Sequence, residues 1–330
     1  MTPTPPSVSR RHHTVWRHYL EAWQNDKGLL HWSLNGVLRS PTRPTNVMVS
    51  RDFYQFPTIT PGDVPFLKAL VDSTGPEELR HSHRRFLTRL AYIGNANELI
   101  QSQPWFSAAD KRLAWSFVVE FEESLHAQVE QNAVSLLEEL RQQRTDFIAN
   151  DDRAIAFFHF LSHQYFRTKP IREAVSAEMS RMFPDHNVGR LANVICHISA
   201  DNVGASLYAD RNVLDIAFFT NSSELRFLTG DQPVVNLMGT GDRRDTKGLI
   251  LYYPLSPDLA CLIAPKESNL RSGDPSIDIV RQLNDIVARG SLQFLVAESN
   301  AEIKDTLDRL ALPRTPRHEI LRAIADGHIQ

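Results

Sequence analysis

The chain has 330 residues, of which 42% are hydrophobic, and a formal net charge of -3 at pH 7. This charge excludes the strong positive field typical of general nucleic-acid binders, although a local basic surface remains open. No apolar run approaches the roughly 18 residues of a membrane helix, and the N-terminus lacks the apolar stretch of a secretory signal, so we expect a cytoplasmic protein without a membrane partner.

The N-terminal part predicts a tail, a short helix and a hairpin. Residues 1–11 are rich in proline and predict a disordered or frayed tail. The run "HHTVWRHYLEAWQ" places Val15, Tyr19 and Trp23 at helical spacing, which predicts a short amphipathic helix. Asn35 and Gly36 lie between two apolar runs and predict a tight β-hairpin. "VMVSRDFYQF" predicts a further strand.

The central part, about residues 77–210, predicts long helices. Ser107 is a suitable N-cap for a helix whose apolar residues recur at steps of four or seven, namely Leu113, Phe117, Phe121, Leu125, Val129, Leu136 and Leu140. A stripe of this length requires a packing partner. Further helices are predicted in "RAIAFFHFLSHQYF", after Pro170, and in "GRLANVICHISADNVGASLYA".

From about residue 213 to 300 the hydrophobic period drops to two, which predicts short strands and one helix before the last strand. The order strands, helices, strands favours an α+β fold. We expect a mixed or antiparallel sheet built from the N-terminal hairpin and the C-terminal strands, beside a central layer of several helices. Residues 12–330 are accordingly expected to form a single composite domain.

Several stretches, taken in order, carry a resemblance to a known family. They are "HHTVWRHYLEAW" (12–23), the Asn-Gly hairpin, the helix with "EESLHAQVEQN", "HQYFRTKPIR" (163–172), "FLTGDQPVV" (227–235), "YYPLSPDLACLI" (252–263) and the helix with Asn284. This set resembles an uncharacterised bacterial family, the domain of unknown function numbered 4238. The family pattern has proline in place of Trp16 and Ser-Asp-Asn-Pro in place of Gly230-Asp231-Gln232-Pro233. The resemblance implies the extent of the domain and no reaction.

The polar residues inside these stretches are the candidate site residues. They are His12, His13, Tyr19, Glu130, Gln164, Arg167, Arg172, Asp231 and Asn284. Imidazole, carboxylate and guanidinium groups together suit phosphoryl-transfer chemistry or anion binding. We predict catalytic roles for His13, Glu130 and Asp231, with His13 as general base or acid. We predict substrate contacts for Tyr19, Gln164, Arg167, Arg172 and Asn284, the two arginines holding phosphate.

Each of these predictions has a structural alternative. Arg167 and Arg172 could form ion pairs with Glu130 and Asp231 that join the helices to the sheet. Asp231 could cap its own turn, because aspartate accepts hydrogen bonds from nearby backbone N–H groups.

Three functions follow from the sequence. The first is a phosphodiesterase or nuclease-like hydrolase acting on nucleic acid or nucleotides, in a defence or toxin setting. The second is a module that binds an anion, a nucleotide or a partner protein with the same residues and without turnover. The third is an interaction protein that assembles through the long helix around residues 107–144. The oligomeric state stays open.

A cofactor is not specified by any motif, although the residue types allow a divalent metal. Glu78 and His81, like Glu123 and His126, have the Glu-x-x-His spacing of di-iron sites, but Glu98 and Glu130 are merely available as further ligands. The histidines four residues apart at 159 and 163 could ligate a metal, yet we favour core or interface histidines because no glutamate follows the first. The pair Arg153 and His159 also has a spacing found in helical ribonuclease toxins, and "RHSHRR" (80–85) favours a solvated helix start over a phosphate contact.

Overall fold

The structure is a computed structural model that describes residues 11–51, 53–184, 187–238, 249–311 and 317–325. Most of the predicted N-terminal tail therefore lies outside the described residues, but Arg11 belongs to the first strand. The described α-helices are α1 Arg17–Leu20, α2 Val64–Asp72, α3 Glu77–Ser102, α4 Ala108–Arg141, α5 Asp151–Phe166, α6 Lys169–Met182, α7 Ala192–Ala209, α8 Ile277–Gly290, α9 Asn300–Leu310 and α10 Arg317–Ala325. The described strands are β1 Arg11–His13, β2 Leu30–Leu34, β3 Val37–Thr42, β4 Val49–Arg51, β5 Leu214–Thr220, β6 Thr229–Gly230, β7 Val235–Asn236, β8 Leu251–Ser256, β9 Leu259–Pro265 and β10 Phe294–Ala297.

The strands form antiparallel sheets, which confirms the predicted α+β fold. One sheet has the order β3-β2-β10-β6, so the N-terminal hairpin pairs with the last strand as expected. The remaining C-terminal strands form a second sheet with the order β5-β9-β8-β7, and β1 pairs with β4 separately. The C-terminal strands are thus divided between two sheets and do not complete a single one. The chain passes from the first to the second through residues 231–234, where Pro233 has no N–H to continue a ladder.

Local sequence signals account for two of the predicted elements. Asn35 and Gly36 have φ values of 51° and 75°, as a type I′ hairpin turn requires, and they connect β2 to β3. Ser107 caps α4 through a capping box with Asp110, whose N–H it accepts and whose carboxylate accepts the N–H of Ser107. Both signals depend only on neighbouring residues.

The apolar stripe of α4 is covered unevenly. Val129, Leu136 and Leu140 lie in the largest hydrophobic cluster, together with residues of the N-terminal segment, of α5 and of one face of the second sheet. Leu113 and Phe117, closer to the start of the helix, are 46% and 61% exposed. The second half of α4 is therefore part of the core, and the first half is only partly packed.

The contact between α5 and α7 positions the candidate site. Gly204 lies on α7 where a Cβ atom would come within 3.2 Å of both the Cα of His159 and the carbonyl oxygen of Phe158. The two helix backbones approach this closely because glycine has no side chain. Across this contact, side chains on successive turns of α5 meet those of α7. Within the described residues, no helix combines the length and the apolar character that crossing a membrane requires.

Candidate functional site

Three of the predicted site residues lie together. His13, Glu130 and Arg167 line a pocket of about 250 Å³ between the N-terminal segment and α4, which we call the N-terminal pocket; Tyr54 and His126 also line it. Burial lowers the pKa of His13. Its Nε2 atom is buried and has no hydrogen-bond partner among the described residues.

The arginine donors near this pocket are engaged by the protein itself. The guanidinium of Arg167 donates to the hydroxyl of Tyr54 at 2.8 Å and to the carbonyl oxygen of His13 at 3.0 Å, and it forms an ion pair with Glu130. Arg172 is paired with the buried carboxylate of Glu122. A phosphate clamp requires N–H groups that face the ligand. The geometry therefore favours the structural alternative, in which both arginines form ion pairs inside the protein. Arg167 pairs with Glu130 as expected, whereas Arg172 pairs with Glu122 and not with Asp231.

Asp231 lies elsewhere, in the turn that links the two larger sheets. Its carboxylate accepts the backbone N–H groups of Leu292 at 2.7 Å, Gln293 at 2.9 Å and Phe294 at 3.3 Å. Burial raises the pKa of Asp231, and these hydrogen bonds oppose the rise. Asp231 is not among the lining residues of the N-terminal pocket. The predicted grouping of Asp231 with His13 and Glu130 is therefore corrected: this carboxylate fixes the start of β10 beside β6.

The other predicted contact residues are buried. The hydroxyl of Tyr19 lies 2.8 Å from both the Thr229 hydroxyl and the carbonyl oxygen of Pro254. Asn284 accepts the N–H of Leu228 and donates to a backbone carbonyl of the same segment. Gln164 is only 1% exposed. Tyr19 and Asn284 thus join elements of the core and do not line the N-terminal pocket.

A second group of polar residues surrounds Asp201 on α7. Nε2 of His159 and Nε2 of His163, one turn apart on α5, each lie 2.9 Å from Oδ1 of Asp201. On the other side, Nδ1 of His83 and Nε2 of His197 lie 3.6 Å and 3.9 Å from its Oδ2. We call these five residues the His–Asp cluster. It brings together α3, α5 and α7 around one carboxylate.

The His–Asp cluster borders a second cavity. This cavity of about 530 Å³, which we call the bundle cavity, has walls from α3, α4, α5 and α7, and it is lined by His159, His197 and Asp201. Arg85 and Arg89, both exposed on α3, line it as well. Two aromatic rings complete the walls: Phe86 stacks on His197 with ring centres 4.3 Å apart, and Phe121 lies 4.9 Å below the guanidinium of Arg89.

Burial and hydrogen bonding set the protonation states in the cluster. Burial lowers the pKa of His163, and it lowers that of His197 to about 3. Burial alone would raise the pKa of Asp201, but the hydrogen bonds from His159 and His163 hold it well below its usual range. The cluster therefore combines the carboxylate of Asp201 with two imidazoles, those of His163 and His197, whose burial favours the neutral form.

Among the described residues, one set of side chains has the geometry of a metal-binding group. The ligand atoms of His159, His163 and Asp201 all lie within 4.8 Å of one another. The two Glu-x-x-His steps do not form such a set: Glu78 and His81 are exposed on α3, and Glu123 contacts His12 at 3.3 Å. Of the metal-ligand pairs considered from the sequence, His159 and His163 are therefore the pair that a third ligand joins, the carboxylate of Asp201 on α7.

The family that the sequence resembles is shown by comparison with family models. The model described as a protein of unknown function (DUF4238) matches residues 11–301. The chain belongs to the DUF4238 family. This confirms the suspected resemblance, and the matched range includes both cavities. Comparison with curated proteins and with solved structures gives no match.

Within this DUF4238 chain, sequence reasoning missed Asp201, His83 and His197. A signal was present, because His197 and Asp201 are four residues apart on a predicted helix, as are His159 and His163. Only the contact between α5 and α7 brings the two pairs together. His83 was hidden in the basic run "RHSHRR", interpreted as solvated. It is 0% exposed, whereas the next two residues, Arg84 and Arg85, are exposed.

Proposed function

We propose that this protein is a phosphodiesterase or nuclease-like hydrolase that acts on a nucleotide or nucleic-acid phosphodiester in the bundle cavity. The observation that carries the proposal is that the hydrogen-bonded His–Asp cluster and two arginine side chains line the same cavity. Hydrolysis of a phosphate ester requires an activated water and fixed positive charge where the oxyanion develops. The His–Asp cluster would supply the first, and Arg85 and Arg89 the second.

The size and the walls of the bundle cavity support a nucleotide as the ligand. Its volume of about 530 Å³ falls within the range of small-molecule sites. Phe86 and Phe121 belong to an aromatic wall against which a base can pack, a contact that tolerates any base. The proposed reaction is the one predicted from the sequence. We now assign it to the His–Asp cluster and not to His13, Glu130 and Asp231. The cytoplasmic location and the defence or toxin setting stay predictions.

The test is a hydrolysis assay on bis-p-nitrophenyl phosphate, cyclic nucleotides and short RNA and DNA. We expect turnover by the wild type, and a loss of kcat of at least about 100-fold in Asp201→Asn. Arg85→Ala and Arg89→Ala should each lower kcat/KM roughly tenfold, because each removes one charge from the phosphate. Arg84→Ala is the matched control, since Arg84 lies on the same helix and pairs with Asp72 and Glu77 outside the cavity.

Two results would contradict the proposal. One is the absence of turnover of every substrate, and the other is full activity in a folded Asp201→Asn protein. If a mononucleotide raises the melting temperature of the wild type and not of the Arg85→Ala and Arg89→Ala proteins, while no product forms, the non-catalytic binding module takes the place of the hydrolase.

A further inference from the structure

We infer that His159, His163 and Asp201 bind a divalent first-row transition-metal ion at the edge of the bundle cavity. A catalytic role of this ion would rest on the proposed function, but its binding would not. Binding of the ion can be tested without any substrate. No motif in the sequence assigns such a site, because its ligands come from two helices that are far apart in the chain.

The first argument is the geometry of the ligand atoms. A zinc ion takes imidazole nitrogen and carboxylate oxygen at about 2.0–2.2 Å, which places neighbouring ligand atoms of a tetrahedron about 3.3 Å apart. Both imidazole nitrogens are 2.9 Å from the same carboxylate oxygen, and all the ligand atoms lie within 4.8 Å of one another. The widest possible separation of 4.8 Å exceeds the tetrahedral one by about 1.5 Å, a difference that side-chain rotation can close around an ion.

The second argument is the charge around Asp201. A buried carboxylate is normally paired with a positive group or bound to a metal. The ion-pair partners found for Asp201 are the imidazoles of His83, His159, His163 and His197, and across the described ranges no lysine or arginine comes within ion-pair distance of it. A divalent cation held by this carboxylate and the imidazoles around it would supply the positive group.

The third argument is the set of buried nitrogens beside the cluster. Nε2 of His83 lies 3.0 Å from Oδ1 of Asn202, so the amide oxygen accepts its hydrogen. Nδ1 of His83 faces Asp201 at 3.6 Å and has no hydrogen-bond partner among the described residues. A buried polar atom without a hydrogen-bond partner beside a carboxylate fits a ligand that binds close by. His83 would act as a positioning residue for Asp201 or join the ligands.

The three ligands indicate which class of metal the site would bind and whether a bound ion could also contact a substrate. Imidazole suits zinc, iron, cobalt and nickel, whereas magnesium and calcium prefer sites built from oxygen. Three protein ligands leave at least one coordination position open, as in catalytic zinc sites. His159 and Asp201 line the bundle cavity, so that position faces the space that Arg85 and Arg89 border. When bound, such an ion lowers the pKa of a coordinated water to about 7.

The experiment uses full-length protein without a histidine tag, treated with chelator and titrated with Zn²⁺ by calorimetry and with Co²⁺ by visible absorption. We expect one ion per chain, and a Kd raised at least about 100-fold in His159→Gln and in Asp201→Asn. His159 is 40% exposed, so its replacement should leave the fold intact. His81→Gln is the control, because His81 is exposed on the same helix as His83.

The outcomes separate this inference from the proposed function. The inference is overturned if the wild type binds neither ion, or if His159→Gln and Asp201→Asn bind both as tightly as the wild type. Binding of one ion without hydrolysis of any phosphodiester would support the metal site and overturn the hydrolase. Hydrolysis that persists in chelator and in His159→Gln would support the hydrolase and overturn the metal site.

Discussion

At the scale of single residues, Asp231 and Asp201 show how similar carboxylates come to different uses. The carboxylate oxygens of Asp231 are occupied by backbone N–H groups of the segment that enters β10. Those of Asp201 face imidazoles at the edge of a cavity. Backbone partners cannot leave without unfolding the turn, whereas imidazoles can rearrange around an ion. We therefore assign Asp231 to the stability of the fold and propose a functional role for Asp201.

Replacement of Asp231 should reduce stability and leave metal binding unchanged. Asp231→Ala leaves three backbone N–H groups without their acceptor, which should lower the free energy of unfolding by about 2–4 kcal/mol. Urea unfolding followed by circular dichroism measures the loss. Asp26→Ala, at an exposed position, should change the free energy by less than about 0.5 kcal/mol. A loss of Zn²⁺ binding without a loss of stability in Asp231→Ala would contradict this assignment.

Part of the N-terminal pocket could be predicted from the sequence, whereas the His–Asp cluster could not. The sequence grouped His13, Glu130 and Arg167, and the structure places them in one pocket. It also offered a turn cap as the alternative for Asp231. Asp201 could not be found, because an aspartate four residues after a histidine is common on helices and its meaning depends on α5. The spacing of residues along one helix does not show which residues of another helix they will contact.

At the scale of elements, the close contact of α5 and α7 creates the His–Asp cluster. Gly204 permits it, since a Cβ atom there would be 3.2 Å from backbone atoms of α5. Backbone atoms cannot rotate away as a flexible side chain can. The separation of α5 and α7 therefore sets the distance between the two histidines of α5 and Asp201.

Gly204→Ala should weaken metal binding as well as the fold. The added methyl group pushes α7 from α5, so we expect a loss of about 1–3 kcal/mol in unfolding free energy and at least a tenfold rise in the Kd for Zn²⁺. Gly290→Ala is the matched control, because its Cβ would meet ordinary contacts at 3.7 Å or more. Equal Zn²⁺ affinity of the Gly204→Ala protein and the wild type would show that helix separation does not govern the site.

The predicted elements succeed where their signals are local. The Asn-Gly turn and the Ser107 cap are contained in a few residues, and both are found. Helix α2 was not among the predicted elements, although proline in the first turn, as found here, is typical of a helix start. Strands β6 and β7, of two residues each, are too short for a periodic signal.

At the scale of the whole molecule, the largest hydrophobic cluster connects distant parts of the chain. It contains Trp23 from the N-terminal segment, Phe160 from α5 and Tyr253 from β8. A second cluster lies against the other face of the β5-β9-β8-β7 sheet and includes residues of α8 and β10. The single composite domain expected from the sequence stays a prediction. The division into two larger sheets was not predictable, because strand partners in antiparallel sheets are chosen by contacts between distant segments.

The shared core leads us to expect one cooperative unfolding transition. Urea curves recorded by far-ultraviolet circular dichroism, which follows the helices, and by tryptophan fluorescence should coincide. Trp23 is a suitable probe, because it is fully buried and donates to the carbonyl oxygen of Phe227. Trp23→Phe should shift both curves to lower urea together. Two separate midpoints would indicate that the helices and the strands form independent domains.

The central claim is that the cavity bordered by the His–Asp cluster hydrolyses phosphodiesters. The most direct measurement is the release of p-nitrophenol from bis-p-nitrophenyl phosphate by the wild type and by Asp201→Asn, side by side, at matched concentration and with matched melting temperature. We predict steady turnover by the wild type and a fall of at least about 100-fold in the variant. Equal rates for the two proteins, or no release by either with this or any nucleotide substrate, would contradict the claim.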